Sequence, residues 1–108
     1  MILPNAASTA QFSESKMGKT TIIKGAPLFA GLNCFEPGQE HAKHCHSGQE
    51  KLYVVMEGTA IIQVGARVET LATGGVAFAA DGVEHSVKNP GPGRLVVLAV
   101  LAPPPAHS

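Results

Sequence analysis

The histidines are the residues of this sequence whose types and spacing could do chemistry. His44 and His46 stand two residues apart in EHAKHCHSGQEKLYVV, and His85 follows in GVEHSVKN. Residues two apart on a β-strand point to the same face, so these two imidazoles could bind one transition-metal ion. His85, from another strand, would complete a three-histidine site. The competing interpretation is a pair of surface histidines on a half-exposed strand.

Two further residues lie close to this pair in the sequence. His41 precedes His44 by three residues, so on a regular strand it faces the other way, and we interpret it as a loop or rim histidine. Tyr53 alternates with Lys51 and could line a cavity, although a packed aromatic ring is the simpler interpretation.

Short apolar runs separated by turn sequences must position these residues. The runs include KLYVVM, AIIQV, RVETL and RLVVLAVLA, and the turns include EPGQ, ATGG and NPGPG. Many short strands without a long helical pattern predict an all-β sandwich or barrel. Gly-Ala between AIIQV and RVETL predicts a hairpin. RLVVLAVLA is apolar on both faces, which predicts a strand buried on both sides and favours a homodimer.

The two ends of the chain differ from this strand-rich middle. Residues 1–20 show little periodicity and predict either a loose arm or an added edge strand. Residues 21–102 form the predicted barrel. Residues 103–108 are proline-rich at their start and predict a surface tail, because proline cannot continue a strand ladder.

The composition argues against several classes of protein. Eight Lys and Arg residues balance eight Asp and Glu residues in a chain of 108, which gives no basic surface for nucleic acid or an anionic membrane. No apolar run approaches the roughly 20 residues of a membrane span. Residues 1–16 lack the features of a signal peptide, and two cysteines make no disulfide framework, so we predict a cytoplasmic protein.

Two longer motifs surround the histidines. The residues that form them are Gly38, His44, His46, Gly58, Gly74, Gly82, His85 and Asn89. Their spacing resembles the two motifs of the cupin superfamily, G-x5-H-x-H-x(3,4)-E-x6-G and G-x5-P-x-G-x2-H-x3-N. The resemblance covers about residues 28–102. The resemblance implies a double-stranded β-helix, the cupin or jelly-roll barrel, with His44, His46 and His85 together in its mouth.

The sequence departs from these motifs at a ligand position as well as at turns. Ala80 replaces the proline of the second motif, and Gly75 stands where an aspartate often follows the first glycine; both are tolerable turn changes. In the first motif, counting back from Gly58 places Lys51 where the family has its metal-binding glutamate. Counting forward from His46 reaches Glu50 instead, which then requires a β-bulge before Gly58.

A lysine at this position opposes metal binding. An ammonium about 4 Å from a divalent ion would be repelled by roughly 8 kcal/mol at an effective dielectric constant near 20. Three arrangements avoid this, and we favour the first: Lys51 extends its ammonium into solvent, or it is neutral with a lowered pKa, or no metal is present and Lys51 binds an anion. Gln49 shares a face with Lys51 and could offer a neutral carbonyl oxygen as fourth ligand.

These observations predict a metal-binding barrel protein that acts on a small polar molecule in an unspecified reaction. His44, His46, His85 and Gln49 are the predicted ligands of a divalent transition metal: Zn, Ni, Fe, Mn or Cu. Glu50, Lys51 and Tyr53 are pocket candidates, with no undisputed general base among them. The alternative is a non-enzymatic module that binds a small anion with Lys51.

Overall fold

The structure is a computed structural model that describes residues 1–45 and 47–105; His46 and residues 106–108 lie outside the described residues. Nine strands follow a short 3-10 helix at Ala6–Thr9. They are β1 Gly18–Lys24, β2 Phe29–Phe35, β3 Glu40–His44, β4 Glu50–Glu57, β5 Ala60–Val64, β6 Arg67–Leu71, β7 Val76–Ala79, β8 His85–Lys88 and β9 Leu95–Ala102. The all-β prediction is confirmed. Within the described ranges, no helix is long and apolar enough to cross a membrane.

The strands form two antiparallel sheets. The five-stranded sheet has the order β1-β2-β9-β4-β7, and the four-stranded sheet has the order β3-β8-β5-β6. β5 and β6 pair as the hairpin predicted from Gly-Ala, with Val64 opposite Arg67. Because the strands of each sheet come from both halves of the chain, β3 and β8 meet although about forty residues separate them, and this brings the two motifs together.

The main core fills the space between the two sheets. Alternate residues of β4 and β9 point into it, and the four-stranded sheet contributes Ile62 and Val87 from the other side. The buried members of this cluster are Phe35, Tyr53, Val55, Ala60, Ile62, Val87, Leu95, Val97 and Ala99. This period-two alternation is what the strand patterns of the sequence predicted.

A second apolar cluster lies on the outer face of the five-stranded sheet. Leu32, Cys34 and Val96 are buried there under Ala10 and Phe12 of the N-terminal segment. The prediction that the strand RLVVLAVLA is buried on both sides holds for the start of β9, where Val96 is buried on the outer face, whereas Leu98 and Val100 further along are half-buried. The N-terminal segment of the chain itself supplies this part of the outer cover. The homodimer stays a prediction.

Residues 18–24 and 40–44 form strands that the apolar runs did not single out. β1 adds to the edge of the five-stranded sheet by pairing with β2. Its first residues lie in the segment for which an arm or an edge strand was expected. β3 is largely polar and exposed, so its sequence carries no apolar signal, and its strand conformation comes from pairing with β8.

Asn89 fixes the end of β8 next to β2. Its buried side-chain amide donates to the carbonyl oxygens of Phe35 at 3.1 Å and Gly93 at 2.9 Å, and its oxygen accepts from the Gly91 N–H at 2.8 Å. These bonds anchor the strand that carries His85.

Candidate functional site

His44 and His85 face each other across two neighbouring strands. They are paired residues of β3 and β8, and their ring centroids are 4.2 Å apart. The Nδ1 atom of each ring lies at hydrogen-bond distance from a backbone carbonyl, 2.8 Å from Ala42 O for His44 and 2.9 Å from Val83 O for His85. A carbonyl oxygen only accepts, so Nδ1 carries a proton in each ring, and Nε2 is the nitrogen available to bind a metal.

His41 joins these two rings, contrary to its interpretation as a loop or rim histidine. The register of β3 against β8 shifts between His41 and His44, which turns both side chains to the same face and brings their ring centroids to 4.1 Å. Burial, followed by the charge of His44, lowers the pKa of His41 from 6.5 to about 3, so its ring is neutral at neutral pH. Its buried Nδ1 has no hydrogen-bond partner among the described residues.

The described residues supply only part of the predicted metal site. His46 lies outside them, and within residues 1–45 and 47–105 no group of three or more His, Cys, Asp or Glu side chains is arranged to hold a metal ion. His44 and His85 fit such a group as two imidazole donors whose tautomers are fixed by backbone carbonyls. The three-histidine site therefore stays a prediction.

Lys51 lies inside the barrel, so the prediction that it extends its ammonium into solvent is wrong. It sits on β4 between β7 and β9, and only 6% of the residue is exposed. Its ammonium nitrogen is 5.0 Å from the centre of the Tyr53 ring, a cation–π distance. Burial, with a smaller contribution from the charge of Lys19, lowers the pKa of Lys51 from 10.5 to about 8.

Glu50 and Gln49 occupy different surroundings. Glu50 is exposed, because Lys51, Tyr53 and Val55 are the residues of β4 that point inward. The register of β4 against β9 does shift, but between Val55 and Glu57, which leaves Glu50 on the outward face. Gln49 lines the cavity next to β3, and its Nε2 donates to the carbonyl oxygen of Pro103 at 3.0 Å.

Tyr53 lies deeper in the barrel than Lys51. It is fully buried, and its ring centroid is 5.9 Å from that of His85. Burial raises the pKa of its hydroxyl, which therefore stays protonated. The hydroxyl has no hydrogen-bond partner among the described residues.

Replacing Tyr53 by phenylalanine is expected to raise the free energy of unfolding by about 1 kcal/mol, because the substitution removes a buried hydroxyl that makes no hydrogen bond. Chemical denaturation of the metal-free protein at neutral pH would measure the change. A decrease instead would mean that the hydroxyl has a partner in solution.

A cavity of about 650 Å³ lies beside His41, His44 and Lys51. Lys19, Asn33, His41, His44 and Lys51 give it a polar side, and none of the described residues that line it is Asp or Glu. Phe29, Leu101 and residues 103–105 give it an apolar side. The predicted surface tail thus contributes Pro103, Pro104 and Pro105 to the cavity wall, a placement that proline content alone does not indicate.

Comparisons with known proteins agree with this architecture. The family model of the cupin domain matches residues 31–101. The structure of TT1209 from Thermus thermophilus superposes with a TM-score of 0.92 at 31% sequence identity, covering 97% of this chain and 100% of that one. No protein with a curated description matches the chain.

More distant structures share the fold. An RmlC-like cupin from Desulfovibrio desulfuricans has a TM-score of 0.85 at 24% identity, covering 97% of this chain and 99% of that chain. A Thermotoga maritima protein described as a predicted oxalate decarboxylase has a TM-score of 0.80 at 17% identity, covering 94% and 98%. At these identities the likeness establishes the double-stranded β-helix fold and nothing finer, and that predicted fold class is confirmed.

Proposed function

Because this chain belongs to the cupin family, we propose that its barrel mouth holds a divalent transition metal through His44, His46 and His85, beside a cavity that binds a small polar molecule. The observation that carries the proposal is the His44–His85 pair. Both rings use Nδ1 as a donor to a backbone carbonyl, which orients Nε2 as the metal-binding atom. Imidazole nitrogen suits Zn, Ni, Fe, Mn or Cu.

The residues of the barrel mouth would play different roles around a bound metal. A bound metal would supply a positive charge that polarises an oxygen of the bound molecule. His44 and His85 would hold the ion, and Tyr53 packs beside His85 with its ring centroid 5.9 Å away. The amide nitrogen of Gln49 donates a hydrogen bond to the carbonyl oxygen of Pro103. The side-chain oxygen of Gln49 can therefore accept a hydrogen bond or coordinate the metal. Lys51 cannot coordinate while it is protonated.

A second candidate function follows from the burial of Lys51. Only 6% of this lysine is exposed, and the described lining of the cavity includes no carboxylate. An ammonium in such surroundings favours an anionic ligand. In this function the protein binds a small anion without catalysing a reaction.

Elemental mass spectrometry of the protein purified without a histidine tag tests the metal proposal. We expect nearly one metal ion per chain in the wild type and its loss in both His44→Ala and His85→Ala, with circular dichroism checking that the variants fold. If the wild type stays free of metal after incubation with Zn, Ni, Fe, Mn and Cu salts, the proposal is wrong and anion binding becomes the leading function.

His41→Ala is the matched control for these variants, because it removes a neighbouring imidazole that the motif does not use. We expect this variant to keep at least about half of the wild-type metal content, since a ring outside the coordination sphere contributes mainly orientation. Loss of metal equal to that of His44→Ala would instead make His41 a ligand.

A further inference from the structure

We propose that the cavity binds a small monocarboxylate with an apolar body, its carboxylate at the ammonium of Lys51 and its body against Phe29, Leu101 and the proline segment 103–105. This inference rests on the proposed function in one respect, namely that the cavity in the barrel mouth is the ligand site. It does not depend on the metal.

Lys51 has no carboxylate partner in the ion pairs of the described side chains. The ion pairs between described side chains are Arg67–Glu69 and Arg94–Glu36, and neither includes this lysine. A buried ammonium that lacks an anionic partner carries a desolvation cost that an incoming anion would offset. The Tyr53 ring, 5.0 Å from the ammonium, holds the charge in position without neutralising it.

The described lining of the cavity offers one buried positive charge to a ligand. Lys51 is the one lysine that is buried among the described residues lining the cavity, and Lys19 is an exposed lysine of the rim. The described lining includes no arginine, the residue suited to bidentate phosphate binding. One buried positive charge matches one carboxylate better than a dianionic phosphate. Asn33 is buried, lines the cavity and could donate a second hydrogen bond.

The apolar side of the cavity lies next to Lys51 on the five-stranded sheet. Phe29, Leu101 and Lys51 occupy one row across three neighbouring strands, because Phe29 pairs with Leu101 and Leu101 pairs with Lys51. The next row on this face consists of Gly31, Ala99 and Tyr53, because Ala99 pairs with both of the others. The ring of Phe29 lies 3.1 Å from the place that a Cβ on Gly31 would take, so Phe29 covers this glycine and forms the apolar surface beside the ammonium together with Leu101.

The proline segment closes this apolar side. Gln49 donates to the carbonyl oxygen of Pro103, which ties the end of β9 to the loop before β4. Pro104 and Pro105 then line the cavity. A ring or short alkyl chain attached to the carboxylate would be covered by these prolines, by Phe29 and by Leu101. The cavity of about 650 Å³ lies within the roughly 300–1,000 Å³ of small-molecule sites.

Calorimetric titration of the full chain, freed of metal by EDTA and dialysis, tests this inference with four probes. These are phenylacetate, its neutral analogue phenylacetamide, acetate and inorganic phosphate. We expect phenylacetate to bind, and the other three to bind at least about tenfold more weakly. Phenylacetamide lacks the charge, acetate lacks the apolar body, and phosphate lacks the apolar body and carries a second charge.

Two variants assign the binding to the proposed contacts. Lys51→Met is expected to lower the affinity for phenylacetate at least about tenfold and to change the affinity for phenylacetamide by less than about twofold. Leu101→Ala is expected to reduce the preference for phenylacetate over acetate and keeps the test possible if the first variant does not fold. Lys88→Met, an exposed lysine on β8, is the matched control and should bind as the wild type does.

Several results would overturn the inference. These are equal binding of phenylacetate and phenylacetamide, preferential binding of phosphate, or unchanged binding of phenylacetate in a folded Lys51→Met variant. Binding of phenylacetate only after a metal is restored would also overturn it, because the carboxylate would then bind the metal. That last result would leave the proposed metal site standing, so the two proposals fail separately.

Discussion

Replacing Lys51 by glutamate is expected to tighten metal binding by at least about 100-fold, or about 3 kcal/mol. The substitution removes a positive charge from the inward face of β4, where the residue is 6% exposed, and puts there the carboxylate that the cupin motif has at this position. A charge near a divalent ion is worth about 8 kcal/mol at 4 Å and an effective dielectric constant near 20, and desolvation of the new carboxylate offsets part of this gain. Competition for Zn between the protein and a chromogenic chelator measures the change.

Two control variants separate the charge from its position. Lys51→Met removes the repulsion without adding a ligand, so its Zn affinity should lie between those of the wild type and Lys51→Glu. Glu50→Gln should leave the affinity unchanged, because Glu50 is exposed on the opposite face of β4. Weaker Zn binding in Glu50→Gln, with no gain in Lys51→Glu, would show that Glu50 is the ligand in solution.

The fold was largely predictable because its strands are marked in the sequence. β4, β5 and β9 are short apolar runs between turn sequences, and β5 and β6 meet at the Gly-Ala turn where a hairpin was expected. The sequence of β3 has no such apolar run. Four of its five residues are polar or charged, and it is a strand because β8 pairs with it.

The proximity of two histidines in the candidate site was predictable from the motif. The proximity of the third was not, because the backbone there departs from regular strand alternation. The motif led to His44 and His85, which the structure brings together across β3 and β8. His41 was set aside because strict alternation turns it away from His44, and a register shift reverses that orientation. Neither residue type nor spacing identifies that shift.

The position of Lys51 was missed for an energetic reason. A lysine is seldom buried without a partner, so solvent exposure was the favoured expectation. The structure buries it because Tyr53 and Val55 share its face of β4, and the strand lies between two others in the five-stranded sheet. Core packing by its neighbours fixes which way β4 faces and takes the lysine inward with them.

Burial of this lysine also predicts that Lys51→Met stabilises the fold, in a way that depends on pH. A fall in pKa from 10.5 to about 8 corresponds to about 3 kcal/mol, so at pH 7 the free energy of unfolding of the variant should exceed that of the wild type by up to about this amount. Between pH 8 and pH 10.5 the unfolded chain keeps a proton that the folded chain has lost, so the wild type gains stability as the pH rises. The advantage of the variant is therefore full below pH 8 and disappears near pH 10.5.

Urea denaturation of both proteins from pH 7 to pH 10.5, with metal and carboxylate buffers excluded, measures this difference directly. Taking the difference between the two proteins cancels the titration of groups that they share. Lys88→Met removes the same charge from an exposed position of β8 and should stay within about 0.5 kcal/mol of the wild type at every pH. A difference between Lys51→Met and the wild type that does not change with pH would mean that the ammonium of Lys51 carries no desolvation cost, since packing alone has no reason to follow its titration.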